Sequence, residues 1–365
     1  MKAFEIIQIL ESFAPTAFQE DYDNSGLVIG SPDADVSGVL CTIDVTMEVL
    51  DEAISKKLNM IVSHHPVIFQ GINKLNGKNT VEEIVIKAIK NDILLYAGHT
   101  NFDSVINGVN NKIAGKIGLE NCKVLSPLKN KLLKLVTFVP ETHAEQVRQA
   151  IFDAGAGNIG NYESCSYNIE GTGTFKGNEV TNPFVGEKGR LHFEKEIRIE
   201  TVLPAIIKSR VINALLKSHP YEEVAYDLYA ITNELKTAGA GLIGELPNVL
   251  ETEELLKLLK EKFKAEGIRY AGNRKKPIKK IALCGGSGSF LINQAKMQNA
   301  HAFITGDIKY HQFFDADNKL IIIDIGHFES EQFTKDIFYE LLTKNLPKFA
   351  VHLSEVNSNP VKYFK

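Results

Sequence analysis

One hexapeptide pattern occurs twice in the sequence, and this repetition constrains the fold more than any other feature. GHTNFD spans residues 98–103 and GHFESE spans residues 326–331. Each has a histidine after glycine and a carboxylate four residues later. Each also follows a short apolar run, DILLYA at 92–97 and KLIIIDI at 319–325, which predicts a buried strand. Two strands that end in the same residues indicate an internal duplication.

A second spacing supports the duplication. The stretch upstream of each hexapeptide is interpreted as a strand, a helix and a second strand. The same 23 residues separate Cys41 from His64 and Cys284 from Asp307. Coincidence is the alternative, because strand–helix–strand units often have similar lengths. The duplication would make three pairs of residues equivalent: His64 and Asp307, His99 and His327, and Asp103 and Glu331.

The middle of the chain has a different pattern. A length of 365 residues is typical of two or three domains. Residues 129–236 are interpreted as βα-ββ-αβ, the order of a ferredoxin-like α+β domain. Because the flanking segments match each other and not this one, it is predicted to be an insertion. The fold class is therefore α/β, with a two-repeat core at 1–128 and 237–365.

Metal-ligating residue types follow several predicted strands. Ligands in open α/β sheets bind beyond the carboxyl ends of the strands, and imidazole with carboxylate suits Zn, Mn, Fe, Ni or Co. Adjacent histidines point apart, so two ions suit them better than one. The alternative is a surface turn for SHHP and a helix-surface pair for His327 and Glu331. The candidates are His64, His65, His99, Asp103, Asp307, His311, His327 and Glu331.

Composition restricts the class of protein. The net charge of −4 shows no basic bias, so nucleic acid is not an expected partner. No stretch approaches the roughly 20 apolar residues of a membrane helix, and no secretory signal is recognisable. The four scattered cysteines favour a reducing cytoplasm over a disulfide framework. A cytoplasmic location and no membrane partner are expected.

Five motifs occur along the chain: DNSGLVIG (23–30), SHHP (63–66), GHTNFD (98–103), TGDIKYH (305–311) and GHFESE (326–331). Together they resemble one family, the Nif-three-like family, whose bacterial members are often called GTP cyclohydrolase I type 2 homologs. The resemblance covers nearly the whole chain, with the motifs in family order. Two further motifs, SHPYEEVAYD at 218–227 and GLIGELP at 241–247, are similar to the longer bacterial subfamily with an inserted P-II/CutA-like domain.

The resemblance implies a three-layer core of two similar, intertwined α/β halves, with two metal ions per chain and a toroidal homohexamer. Zinc is the first expectation, with Fe, Mn, Ni or Co as alternatives. Glu331 would bridge the ions, and His99 and His311 would support the site or transfer protons. The ligands implied are His64, His65, Asp103, His327 and Glu331.

Two functional hypotheses remain open at this point. The first is a metal-dependent hydrolase of a small phosphorylated or nucleotide-like substrate. The second is a regulatory or metal-handling protein whose insert senses a ligand. The cyclohydrolase name is a weak guide, because the residues that carry the chemistry of the established zinc cyclohydrolases have no counterpart here.

Overall fold

The computed structural model describes residues 1–272, 277–317 and 319–364. The chain divides into two compact units. One comprises Met1–Pro127 and Thr237–Lys365, and the other is Leu128–Lys236. The sequence-based boundaries lay at 128/129 and 236/237.

The strands of the described residues form three sheets. In chain order they are β1 (Gly26–Ile29), β2 (Val39–Thr42), β3 (Met60–Ser63), β4 (Leu94–Ala97), β5 (Glu120–Leu128), β6 (Leu132–Pro140), β7 (Ser166–Phe175), β8 (His192–Pro204), β9 (Tyr226–Ile231), β10 (Leu235–Leu250), β11 (Arg269–Ala271), β12 (Ile278–Ser287), β13 (Ala302–Gly306), β14 (Ile321–Asp324) and β15 (Val351–Leu353).

The α-helices surround these sheets. They are α1 (Ala3–Phe13), α2 (Met47–Ser55), α3 (Thr80–Lys90), α4 (Thr100–Ser104), α5 (Val109–Ile117), α6 (Ala144–Asp153), α7 (Lys208–Ser218), α8 (Thr252–Phe263), α9 (Ile292–Met297), α10 (His327–Glu331) and α11 (Thr334–Asn345). Short 3-10 helices, including Tyr310–Ala316, complete the connections.

The two repeats have the same strand order and direction. The first sheet runs β1-β4-β3-β2-β15 and the second runs β11-β14-β13-β12-β10-β5. In the first, β2, β3 and β4 are parallel and β1 is antiparallel to β4. In the second, β12, β13 and β14 are parallel and β11 is antiparallel to β14. The predicted duplication is thus confirmed at the level of topology.

The register of the strands agrees with the spacing in the sequence. Leu40 pairs with Ile61 in the first sheet, and Leu283 pairs with Ile304 in the second. Leu283 and Ile304 lie 243 residues after Leu40 and Ile61, which is the same offset that relates Cys41 to Cys284. The backbone pairing therefore preserves the equivalence of residues that the sequence indicated.

The two halves are intertwined through the segments that follow each repeat. Helix α5 follows the first repeat but packs against β12, and β5 joins the second sheet. Helix α11 follows the second repeat but packs against α1 and β2, and β15 pairs with β2. Each half therefore depends on a segment contributed by the other.

Apolar side chains on both faces bury the central strands. All four residues of β2, β3, β4 and β14 are buried, as expected for parallel sheets covered on both sides. In the first sheet, Leu40 packs towards α2 and α3, whereas Cys41 packs towards α1 and α11. Thr46 is the N-cap of helix α2, because its hydroxyl accepts from Val49 N–H at 3.3 Å.

The inserted unit has the element order βαββαβ. Its sheet runs β7-β8-β6-β9, and every pair is antiparallel, as in ferredoxin-like domains. Helices α6 and α7 pack on one face, where Leu135, Ile199 and Val211 are fully buried. The sheet therefore has a second face that these helices leave open.

None of the helices in the described part of the chain is long and apolar enough to cross a membrane.

Candidate metal centre

The candidate ligands lie where the parallel strands of the core end. His64 and His65 follow β3, and α4 begins immediately after His99 at the end of β4. In the second repeat, β14 leads into α10, which starts at His327. A residue and its i+4 neighbour share one face of a helix, so His327 and Glu331 point together.

Glu331 is the centre of the cluster. Its Oε2 lies 3.0 Å from Nε2 of His65, 3.0 Å from Nε2 of His327 and 3.5 Å from Nε2 of His64. Only 4% of its side chain is exposed. Gly286, at φ +58°, makes room for it, because a Cβ there would lie 2.2 Å from Glu331 Oε1. A side chain at that position would displace the carboxylate.

Two ligand groups share this carboxylate. One comprises His65, His327 and Glu331, and the other comprises His64, Asp103 and Glu331; in each, the ligand atoms lie within 4.8 Å of one another. Each group takes residues from both repeats. The chain has therefore brought the five ligands implied by the family motifs to one place.

The chemistry of this donor set fits a divalent cation. His64 Nε2 and Asp103 Oδ1 lie 3.8 Å apart, and both are buried without a hydrogen-bond partner. Buried polar atoms are normally paired. A cation between these two atoms and the buried carboxylate of Glu331 would satisfy both.

The histidines are held by their other ring nitrogen. His65 Nδ1 contacts Asp44 Oδ1, and His327 Nδ1 contacts Asp307 Oδ2, each at 2.7 Å. The Nδ1 of His64 contacts a backbone carbonyl, that of residue 98, at 2.9 Å. Carboxylates and carbonyls in this position fix the tautomer and direct Nε2 towards a metal.

The electrostatics of the cluster favour positive charge. Burial raises the pKa of Glu331, but its contacts with the neighbouring imidazoles outweigh burial and hold it well below its usual range. Burial lowers the pKa of His65, but hydrogen bonds with Asp44 and Glu331 raise it to about 9. For His327, hydrogen bonds with Asp307 and Glu331 likewise outweigh burial and raise the pKa to about 11.

Asp103 behaves differently from Glu331. Burial, followed by the negative charge of Glu331, raises its pKa. A buried carboxylate near another one resists ionisation, so a cation is needed if both are to be charged together. This is the electrostatic condition that a metal ion meets.

His99 forms a pair with Asp23. Its Nδ1 lies 2.7 Å from Asp23 Oδ1. Asp23 Oδ2 accepts from the backbone N–H of Thr100 at 3.0 Å and from its hydroxyl at 2.5 Å. Although burial opposes them, these hydrogen bonds lower the pKa of Asp23. One ring nitrogen of His99 lies within 4.8 Å of ring nitrogens of His64 and His65, so His99 lies at the edge of the centre.

Two cavities border the cluster, and His65 and His327 line both. One, of about 240 Å³, is also lined by His99 and by the aromatic rings of Tyr22, Phe69 and Phe290. The other, of about 640 Å³, is lined by Asp44 and Asp307 and by the C-terminal residues Asn359 and Tyr363, with Arg269 at its wall. The cluster is thus accessible from two sides.

The structure does not place His311 in this group. It is exposed and lies on the 3-10 helix Tyr310–Ala316, where its ring stacks with Phe314 and meets Tyr310 edge-on. It lines neither cavity. The equivalent of His64, Asp307, lies close to the cluster but contacts His327 Nδ1 instead of pointing its oxygen at the centre.

Some contributing residues could not be selected from the sequence. Asp23 belongs to the DNSGLVIG motif, for which the sequence indicates no role. Asp44 follows β2, and Ser358, from the C-terminal segment, donates to its Oδ2 at 2.5 Å. Asn359 donates to Glu329 at 3.2 Å. Asp44 had a weak signal, since it also follows a strand of the same sheet.

The fold and the cluster define a class: an α/β protein built from two intertwined repeats whose strand ends converge on a site suited to metal. A model of the Duf34/NIF3 (NGG1p interacting factor 3) family matches residues 1–360. The chain belongs to this family.

Several known proteins are similar over the whole length. The GTP cyclohydrolase 1 type 2 homolog of Halalkalibacterium halodurans is 40% identical over 363 residues, which cover 98% of both chains. That of Bacillus subtilis is 38% identical over 365 residues, with the same coverage. Among solved structures, a Bacillus cereus protein related to NIF3 is 38% identical with a TM-score of 0.87, covering 100% of this chain and 99% of that one.

Proposed function

We propose that this protein is a hydrolase that uses two divalent metal ions, zinc in the first instance, on a small phosphorylated or nucleotide-like substrate. The observation that carries the proposal is the position of Glu331 Oε2, within 3.5 Å of three imidazole nitrogens. A carboxylate shared by two ligand groups is the arrangement of two-metal hydrolases.

The residues divide between two ions. His65 and His327 would hold one, His64 and Asp103 would hold the other, and Glu331 would bridge them. Two such ions supply Lewis-acid polarisation of the substrate and a lower pKa for water. Three protein ligands for each ion leave positions for substrate and water, as in catalytic rather than structural sites.

His99 is suited to moving a proton. Asp23 accepts from its Nδ1 at 2.7 Å, so its Nε2 is the atom free to exchange a proton with a group in the smaller cavity. An imidazole can act as general acid or base near neutral pH. Asp23 holds the ring in the required tautomer and orientation.

The cavity lining supports the substrate class. Tyr22, Phe69 and Phe290 line the smaller cavity, and aromatic rings of this kind stack on planar bases. The larger cavity has Arg269 at its wall; its guanidinium binds Asp324, and 62% of its side chain remains exposed for a phosphate.

A regulatory or metal-handling role is the alternative. It would use the same ligands, but no substrate would be turned over. The two proposals differ in what His99 is for, since a metal store has no need of a proton-transfer residue beside the ions.

The test is hydrolysis of a panel of nucleotides, phosphomonoesters and phosphodiesters by the metal-loaded protein. We expect at least one substrate to be cleaved, and His99→Gln to reduce its cleavage about 10²- to 10⁴-fold, the usual contribution of general acid–base catalysis, without loss of metal. His352→Gln is the matched control, because His352 is an exposed histidine on β15. Absence of cleavage across the panel with full metal occupancy would support the alternative.

Two features implied by the family resemblance belong to the proposal as well. We propose that the chain assembles into a toroidal homohexamer in the cytoplasm and that the insert is P-II/CutA-like. Light scattering coupled to size-exclusion chromatography would test the assembly, and a monomeric mass at micromolar concentration would contradict it.

A further inference from the structure

The inserted unit contains a cavity of its own, of about 580 Å³. It lies on the face of the sheet that α6 and α7 leave open. Along β8, Ile197 and Ile199 pack against these helices, whereas the alternating residues Glu196 and Arg198 line the cavity. Its volume is in the range of small-molecule sites, about 300–1,000 Å³.

A buried carboxylate lies in the wall of this cavity. Only 9% of Glu196 is exposed, and the hydroxyl of Tyr221 donates to its Oε1 at 2.8 Å. Among the described residues, no lysine, arginine or histidine forms an ion pair with it. The neighbouring Arg198 binds Glu200 instead, at 2.8 Å. A buried charge without a counter-ion is costly, so this carboxylate favours a cation beside it.

Aromatic rings surround the carboxylate. The ring centroids of Phe175 and Tyr221 are 6.0 Å apart, and those of Phe184 and Tyr221 are 6.3 Å apart. Phe138 lines the same cavity, but the guanidinium of Arg198 already lies over its ring, 5.9 Å from the centroid. The faces of such rings attract organic cations, and aromatic walls beside a carboxylate are the usual recognition of ammonium groups.

The other charged residues that line the cavity also favour a cationic ligand. Three further glutamates line the cavity, against the two cations Lys176 and Arg198, one of which is already paired. This excess of negative charge disfavours an anionic ligand such as a nucleotide. The glutamates are Glu170, Glu222 and Glu223.

We propose that the insert is a binding site for a small organic cation, with its ammonium or guanidinium group against Glu196 and its carbon body against Phe175, Phe184 and Tyr221. The site is separate from the metal centre and does not depend on the hydrolase proposal. The carboxylate selects a positive charge and the rings select an apolar body, so both together select an organic cation.

The test is isothermal titration calorimetry on the full chain with butylamine, phenethylamine, agmatine and choline. Each is paired with a neutral or acidic counterpart, such as 2-phenylethanol and 3-phenylpropionate for phenethylamine. At least one amine should bind in the submillimolar range with one site per chain, and its counterparts at least about tenfold more weakly, a difference of about 1.4 kcal/mol. Failure of all four amines to bind would overturn the proposal.

Two variants locate the binding. Glu196→Gln keeps an acceptor for the Tyr221 hydroxyl but loses the charge, and it should weaken amine binding at least about tenfold. Glu194→Gln is the matched control, because Glu194 lies two residues earlier on β8, pairs with His192 and does not line the cavity. Equal affinity in the two variants would contradict the assignment. Phe184→Ala, at a half-exposed position, should weaken binding several-fold without affecting the fold.

Discussion

Glu331 Oε2 lies 3.0 Å from His65 Nε2, although the two residues are 266 positions apart. His65 belongs to the first repeat and Glu331 to the second. Their contact brings the ends of two sheets together at one point. The repeated hexapeptide therefore has a physical explanation: two copies of one α/β unit present their strand ends to a common centre.

Replacement of the shared carboxylate should remove both ions. Glu331→Gln keeps the shape of the side chain but not its charge, so each ligand group loses a carboxylate. The group with His65 and His327 keeps none, and the group with His64 keeps only Asp103. His65→Ala removes a ligand from one group only and should leave one ion. Elemental analysis after gentle purification measures both. His311→Ala is the control and should retain two ions; loss of metal there would contradict the placement of His311 outside the centre.

Asp44 should increase the affinity for one metal ion by orienting His65. Asp44→Asn weakens the acceptor that orients the imidazole, and the affinity for one ion should fall about 10- to 100-fold, as for other carboxylates behind metal-bound histidines. Competition with a chelator measures this. Asp51→Asn is the matched control, because Asp51 forms an exposed pair with Lys87. Equal affinities in the two variants would mean that Asp44 has no role in positioning.

The core should fold and bind metal without the insert. Every proposed ligand lies outside residues 128–236. The backbone on either side of the insert is in close contact, since a Cβ on Gly239 would lie 2.2 Å from Ser126 O. A short Gly-Ser joint can therefore replace the insert. Circular dichroism should show a folded α/β protein, and elemental analysis should show the metal content of the full chain.

The two measurements on that deletion variant separate two errors. An unfolded variant would contradict the boundaries of the insert. A folded variant that lacks metal would contradict the assigned ligands.

His219 should link the stability of the insert to pH. Its Nδ1 accepts from Tyr221 N–H at 3.1 Å and its Nε2 donates to the Phe138 carbonyl at 2.9 Å, so the neutral ring satisfies both nitrogens. Burial lowers its pKa. The unfolded chain therefore binds more protons near the ordinary value of about 6.5, and the free energy of unfolding falls as pH falls through that value.

Calorimetry at about pH 7.5 and about pH 5.5, on either side of that value, tests this link. The loss of melting temperature between the two should be smaller for His219→Asn than for the wild type. His352→Asn, at an exposed histidine, should behave as the wild type. An equal decrease in melting temperature in all three proteins would show that protonation of His219 does not affect stability.

Much of the core follows from local patterns. The strands β2, β3, β4 and β14 are short apolar runs, and parallel strands place their carboxyl ends at one edge. Equal spacing then predicts the duplicate strand order. The ligands were identifiable because each stands at a strand end or one helical turn beyond it, as His327 and Glu331 do.

The rest depends on contacts between distant segments. The pairing of Ser358 with Asp44 joins residues 314 positions apart, and no local pattern indicates it. His311 shows the opposite case, a histidine after a strand that its 3-10 helix turns towards solvent. The edge strand β15 is short, and its place beside β2 is decided by how α11 packs across the core.

The central claim is that Glu331 bridges two metal ions held by ligands from both repeats. Anomalous diffraction at the zinc absorption edge, on crystals grown with zinc, tests it most directly. The account predicts two peaks about 3.5–4 Å apart, as in other two-metal sites, with the carboxylate of Glu331 between them, His65 and His327 on one and His64 and Asp103 on the other. A single peak, or peaks away from Glu331, would contradict it.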